Sequence, residues 1–266
     1  MKIIVCVKQV PDTSGKVAVN PDGTLNRASM ATITNPDDLN AVEAALVLKE
    51  QTGAEVVVVS MGPPPAEGML RELMARGADR AVLVSGREFG GSDTYATSQI
   101  LAAAINKIGV DAEDIVMCGR QAIDGDTAQV GPQIAEKLGL PQISYAADIQ
   151  LDGNVVTVKR MLEDGYMTVK TQTPCLITCI KELNEPRYMS VYGIFDCYSK
   201  PYEVLDYNAL KDDPLIDPST IGLMGSPTNI LTSFTPPQKG AGMMLEGADK
   251  ATCDQLAGML AAKHMI

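Results

Sequence analysis

The sequence predicts an α/β fold, a doubly wound and mostly parallel sheet with extra antiparallel strands and an extended C-terminal arm. Three observations carry that expectation. Short unbroken apolar runs, Ile3 to Val7, Val56 to Val59, Ala81 to Val84 and Ile115 to Cys118, read as strands buried on both faces. Between them lie segments with apolar residues three and four apart, the spacing of helices packed on a sheet. From Ile143 onward the period changes to two, as in strands with one wet face.

Each element has a local reason. Lys8-Gln9-Val10-Pro11 leaves the carboxyl end of the first strand, and Asn20-Pro21-Asp22-Gly23 marks a turn inside a small hairpin over Val17 to Arg27. Asn35-Pro36-Asp37-Asp38 has the form of a helix start, a capping side chain followed by proline and two acids on the positive end of the dipole. Ala41, Ala45 and Leu48 form that helix's buried face, and Gly53 ends it. A second helix follows Pro63 and runs to about Arg76. A third, capped by Ser92-Asp93-Thr94, runs through Ile100 and Ile105 to about Ile108. Ile149 to Lys159 and Tyr166 to Val169 alternate around glycine turns, and Pro174 to Ile180 is one more buried strand. Met189 to Cys197 is read as a short helix or loop with exposed apolar groups.

Beyond Ser199 prolines are frequent and periodicity is weak, so residues 1–198 are expected to form the α/β domain and 199–266 an arm ending in a short helix over Gly247 to Lys263. The arm carries Ile216, Ile221, Leu223, Ile230 and Phe234. Those groups are wasted in water, and the expectation is that they lie on another protein, with a disordered tail as the alternative.

Composition excludes several classes of function. The chain has 266 residues and a net charge of −11, a poor match to nucleic acid or an anionic membrane surface. No apolar run is long enough to span a bilayer, and the expected location is cytoplasmic. Six cysteines show no paired C-x-x-C spacing, so no metal site is expected. The single histidine, His264, leaves no self-contained Ser-His-Asp machinery and no His-ligated metal in the body of the chain. No G-x-G-x-x-G follows the first strand, and no P-loop motif occurs.

In a doubly wound sheet ligands bind beyond the carboxyl ends of the strands, where the strand order reverses. Cys6 to Gln9, Ser60 to Gly62 and Gly119 to Thr127 fall on that edge. The stretch Cys118 to Gly139 reads as strand end, tight loop and helix, with Val130, Ile134 and Leu138 on one face. Its free amides and helix start suit a phosphate without a lysine, and Arg120, Gln121 and Gln129 add donors. The alternative is an ordinary helix start capped by Asp126.

Five motifs, in order, resemble one family. Val5-Cys6-Val7-Lys8-Gln9-Val10-Pro11-Asp12, Asn35-Pro36-Asp37-Asp38, Gly77-Ala78-Asp79-Arg80, Gly119-Arg120-Gln121-Ala122-Ile123-Asp124-Gly125-Asp126 and Leu183-Asn184-Glu185-Pro186-Arg187-Tyr188 are similar to the β subunit of electron-transfer flavoproteins. The resemblance implies an adenine-nucleotide-binding, hydrolase-like topology and a heterodimer with an α subunit that carries a mobile FAD domain. It also implies a nucleotide held by Cys6, Asn35, Met61 and the run Arg120, Gln121, Ala122, Ile123, Asp124, Gly125, Asp126, Thr127, Ala128, Gln129, Val130 and Gly131.

Pro11-Asp12-Thr13, Asp22 to Arg27 and Gly91 to Thr97 resemble the electron-bifurcating branch, in which that nucleotide is FAD. There FAD takes a hydride from NADH and serves ferredoxin or flavodoxin as well as an acyl-CoA dehydrogenase. Thr94 and Thr97, one turn apart, are then further candidate contacts, and Arg120 a candidate for tuning the flavin. The alternative is structural AMP in a non-bifurcating subunit. A third reading, from outside the family, is a free-standing nucleotide-binding signalling protein. Glu185, Arg187, Tyr188, Val191, Tyr192 and Ile194 resemble the family's recognition loop for acyl-CoA dehydrogenases, with packing on the α subunit as the alternative.

Overall fold

The computed structural model describes residues 1–12, 31–228 and 240–266. The first strand, β1 (Lys2–Cys6), leads into a two-stranded antiparallel ladder of β2 (Gln9–Pro11) and β3 (Thr32–Thr34), which delivers the chain to α1 (Pro36–Thr52). The elements β4 (Glu55–Met61), α2 (Glu67–Arg76), β5 (Arg80–Val84), α3 (Thr94–Ile108), β6 (Ile115–Gly119) and α4 (Val130–Leu138) then alternate. An antiparallel meander of β7 (Gln142–Asp152), β8 (Val155–Met161) and β9 (Tyr166–Gln172) precedes β10 (Cys175–Cys179) and α5 (Val191–Asp196). The last strand is β11 (Tyr202–Leu205), followed by α6 (Tyr207–Leu210), α7 (Gly222–Gly225) and α8 (Lys250–Ala262).

The main sheet runs in the order β11-β5-β4-β1-β6-β10-β7-β8-β9. The pairs from β11 through β7 are parallel, and those of β7 with β8 and β8 with β9 antiparallel. Winding proceeds outward from β1 in one direction through β4 and β5, then jumps back to β6 on β1's other side. The reversal lies between β1 and β6, with Cys6 opposite Cys118. Helices α1 and α2 cover one face over Ile3, Val5, Val56, Val58 and Met117; α3 and α4 cover the other over Ile4, Val57, Val59, Val116 and Leu176. The isoleucine and valine runs alternate between two cores, which is why they carry no polar face.

Local expectations hold with shifts of a few residues. Gly53 and Gly139 adopt the left-handed conformation at the ends of α1 and α4. Asp93 caps α3 by accepting from the Ala96 amide. The Met189 to Cys197 segment is a helix, capped by Ser190. The hairpin expected over Val17 to Arg27 lies outside the described residues.

The expected arm is corrected at two of its apolar residues. β11 pairs in parallel with β5, four residues past the expected domain boundary. Ile216 and Ile221, expected to lie on another protein, are buried in this chain's own core beside Leu205 and Leu210. Gln99 on α3 holds them there, its amide donating to the Leu215 carbonyl at 2.6 Å and to Thr220 at 2.7 Å. Leu223 is exposed, and Ile230 and Phe234 lie outside the described residues. α8, capped by Asp249, has no buried residue. Among the described residues no helix is long and apolar enough to cross a membrane.

Candidate nucleotide site and docking face

The site is built where α1 starts, above the split between β1 and β6. Asp38 is the keystone. One carboxylate oxygen accepts from the Lys8 amide at 2.8 Å and the other from the Gly119 amide at 2.9 Å, so one side chain ties both strand ends. Asp38 is buried, and that burial, opposed by these bonds, raises its pKa to about 7. Gly119 is required by contact: a Cβ there would lie 2.4 Å from Asp38 Oδ1 and 2.6 Å from the backbone of Asp37.

Asn35 sits at the N-cap position expected for it, but its side chain makes no cap bond. It reaches across the crevice instead. Its amide donates to the Gln121 carbonyl at 2.8 Å, and its oxygen accepts from the Ile123 amide at 3.1 Å. Asp37 pairs with Arg120 at 3.2 Å, and burial raises the Asp37 pKa against the pull of that guanidinium. The N-cap Asn35 and the first-turn residues Asp37 and Asp38 thus hold the loop from Gly119 to Ile123.

The loop then doubles back, with the Asp126 amide bonding the Ala122 carbonyl at 2.9 Å. Asp126 and Ala128 both take positive φ, 51° and 52°. Left-handed geometry costs a non-glycine residue about 1 kcal/mol or more, and such residues cluster at ligand clamps. The stretch from Thr127 to Gln129 carries three backbone amides, and these find no acceptor among the described residues. They lead into α4, whose N-cap, Gln129, makes no side-chain cap bond. The expected Asp126 cap is absent: α4 begins four residues later, and Asp126 accepts from Gln121 at 2.8 Å. Asp124 is engaged by Lys8 at 2.8 Å. With both acids occupied, the unpaired amides and the start of α4 offer donors to an anion. These donors fit the phosphate shared by AMP and FAD, and the amides of Thr127, Ala128 and Gln129 would hold it.

The other residues expected to touch the nucleotide lie at the ends of β1 and β4 and on α3 and α4. Cys6 is buried at the end of β1, and Met61 is half-buried at the end of β4. Thr94 points to α4, its hydroxyl bonding Gln129 at 3.0 Å, while Thr97 lies one turn on and half-buried. Val130 is half-buried in the apolar layer under α4. Gly131 faces inward, where a Cβ would meet Cys118 Sγ at 2.6 Å, so it sets how closely α4 approaches the sheet. Sequence reasoning read Asp37 and Asp38 only as dipole partners, and it did not single out Lys8.

The second candidate surface lies on α5. Tyr188, Val191, Tyr192, Phe195 and Tyr198 are 91, 76, 77, 78 and 73% exposed. Ile194 is partly exposed and Glu185 is exposed. Phe195 and Tyr198 were not anticipated, although their three-residue spacing after Tyr192 is visible. α5 is held tightly beneath this apolar skin. A Cβ on Gly193 would lie 2.1 Å from the Ala75 carbonyl oxygen of α2. Arg71 donates to the Cys197 carbonyl at 2.9 Å and lies over the Tyr202 ring. Arg187, expected as a docking residue, is turned onto α1: its guanidinium forks onto Glu43 at 2.9 to 3.2 Å and reaches Glu50 at 2.5 Å. These carboxylates push its pKa up.

Comparison with known proteins agrees with this architecture. A family model described as the electron transfer flavoprotein domain matches residues 22–204. The acryloyl-CoA reductase electron transfer subunit gamma of Anaerotignum propionicum is 67% identical over 267 residues, covering 100% of both chains. The caffeyl-CoA reductase-Etf complex subunit CarD of Acetobacterium woodii is 51% identical, covering 99% of this chain and 97% of that one. The electron transfer flavoprotein subunit beta of Clostridium acetobutylicum is 49% identical over 100% of both. A domain match across most of the length, and relatives aligned along nearly all of it, show that the chain belongs to the electron transfer flavoprotein family.

Proposed function

We propose that this chain is the β subunit of a heterodimeric electron-transfer flavoprotein and that its switch-point crevice holds FAD. The observation that carries the reading is the run of unpaired amides at Thr127, Ala128 and Gln129 ahead of a helix whose N-cap makes no side-chain bond. FAD held there by the amides of Thr127, Ala128 and Gln129 would supply the redox chemistry, hydride acceptance from NADH with electron delivery to ferredoxin or flavodoxin and, through the α-subunit FAD, to an acyl-CoA dehydrogenase. The protein's own part is positional. The amides bind the phosphates, Asn35 holds the loop in register, and Asp38 fixes the crevice floor. Arg120 brings positive charge to the rim, partly offset by Asp37, so any influence on the flavin is modest.

The names of two relatives, electron-transfer subunits of an acryloyl-CoA and a caffeyl-CoA reductase, support service to an enzyme acting on CoA thioesters. The exposed aromatic skin of α5 supplies the docking face for it. The exposed α8 and the residues leading to it are assigned to the α subunit. AMP in the same crevice is the second reading, favoured by the fact that the amide run needs only a phosphate. The deciding experiment is to co-express the chain with its α subunit, denature the purified complex and quantify nucleotides. Two FAD and no AMP per heterodimer supports the first reading and one of each the second; a chain that stays monomeric overturns both.

A further inference from the structure

Helix α1 serves both candidate surfaces. Its first turn holds the nucleotide loop through Asn35, Asp37 and Asp38. A second set of residues on the same helix holds the segment that leads to α5. Asn40 donates to the Asn184 carbonyl at 2.7 Å, and Asn184 returns a bond to the Asn40 carbonyl at 3.0 Å. Glu43 accepts from both the backbone amide and the guanidinium of Arg187, and Glu50 takes the remaining guanidinium edge. Asn40, Glu43 and Glu50 recur at three and seven residues, on one stripe of the helix. The Arg187 carbonyl in turn accepts from Arg76 of α2, the helix against which α5 packs.

A helix is stiff along its axis, and α1 is packed through Ala41, Val42, Ala45 and Leu48 into the core. Its two polar ends therefore cannot relax independently. The loop it holds at one end is strained at Asp126 and Ala128, and a bound phosphate favours that geometry. We propose that Glu43 is a positioning residue for the docking face, and that through α1 the occupancy of the nucleotide crevice sets how firmly the segment Arg187 to Ile194 is held. The inference rests on the site and docking readings of the proposed function. By linkage the effect runs both ways: a partner seated on α5 tightens nucleotide binding by the same factor.

The test is hydrogen exchange on the heterodimer with its α subunit, stripped of nucleotide and then reloaded with AMP, which carries the phosphate common to both nucleotide readings. In the wild type, AMP is expected to slow exchange about tenfold at residues 119–131 and several-fold at 187–194. In Glu43→Gln the first effect persists, which also shows that the variant is folded, and the second disappears. Asn40→Ala is expected to behave in the same way. Protection confined to 119–131 in the wild type overturns the coupling while leaving the site intact. Protection of 187–194 that survives in both variants overturns the role of Glu43 and of α1. No protection at 119–131 overturns the site, and the coupling falls with it.

Discussion

The Gly119 amide donates to Asp38 Oδ1 at 2.9 Å, and the same approach leaves no room for a side chain on Gly119. The neighbouring atoms include the backbone of Asp37 and Asp38, which cannot swing away as a side-chain tip would. Gly119→Ala is therefore expected to destabilise the fold by about 1–3 kcal/mol, the usual cost of overpacking. Urea denaturation of the purified complex measures it, and an unchanged midpoint would show that α1 can yield.

Asp38 gives stability a pH dependence of unusual sign for a carboxylate. Its folded pKa is raised to about 7, while the unfolded value is about 3.9. The folded state then holds this proton more tightly than the unfolded chain does. Ionising the group costs the fold, and its contribution declines as pH rises from about 4 to about 7. At about 1.4 kcal/mol per pKa unit the decline amounts to a few kcal/mol. Asp38→Asn leaves one acceptor oxygen for two amides, a pH-independent loss of about 1–3 kcal/mol, but abolishes this slope. Denaturation midpoints measured at several pH values from 5 to 8 are expected to show this fall in the wild type and not in Asp38→Asn, and equal slopes in the two proteins would overturn the assignment.

Asn35→Ala removes the bonds to the Gln121 carbonyl and the Ile123 amide together. At about 0.5–1.5 kcal/mol per bond, the stripped complex is expected to bind AMP roughly 5- to 150-fold more weakly. Isothermal titration checks this. Unchanged affinity would mean that the loop keeps its shape without α1.

The α5 face predicts the opposite pattern. Val191→Ala and Phe195→Ala truncate exposed side chains and are expected to change stability by less than about 0.5 kcal/mol. Each is expected to slow reduction of the dehydrogenase partner about tenfold or more while bound nucleotide stays at wild-type stoichiometry. Undiminished electron transfer with either variant would move the docking face elsewhere.

What was legible in the chain was what depends on neighbours in sequence. The buried strands, the cap at Asp93 and the left-handed glycines after α1 and α4 all have local signals. The site was legible as a place, because the carboxyl edge at a strand reversal follows from topology. Its machinery was less so. Nothing in an alanine announces positive φ, so the Ala128 geometry and the late start of α4 were hidden. Asn35 looked like a cap, yet its partners lie 86 and 88 positions away. Arg187 looked like a surface residue until α1 brought Glu43 to it across 144 positions. Ile216 and Ile221 looked unpartnered because β11 is only four residues long and gives little periodicity to read.

The place of β1 in the sheet has a consequence for how the protein is made. Ile3 pairs with Val56 on one side and with Ile115 on the other. This interior strand precedes both of its neighbours in the chain, so during synthesis it waits for each of them to emerge. At about 5–20 residues per second, Ile3 to Cys6 stay unsheltered for seconds before β4 emerges and longer before β6 does. During that interval the unpaired N–H and C=O groups of an apolar strand are open to any passing strand, the exposure that edge strands are otherwise shaped to avoid.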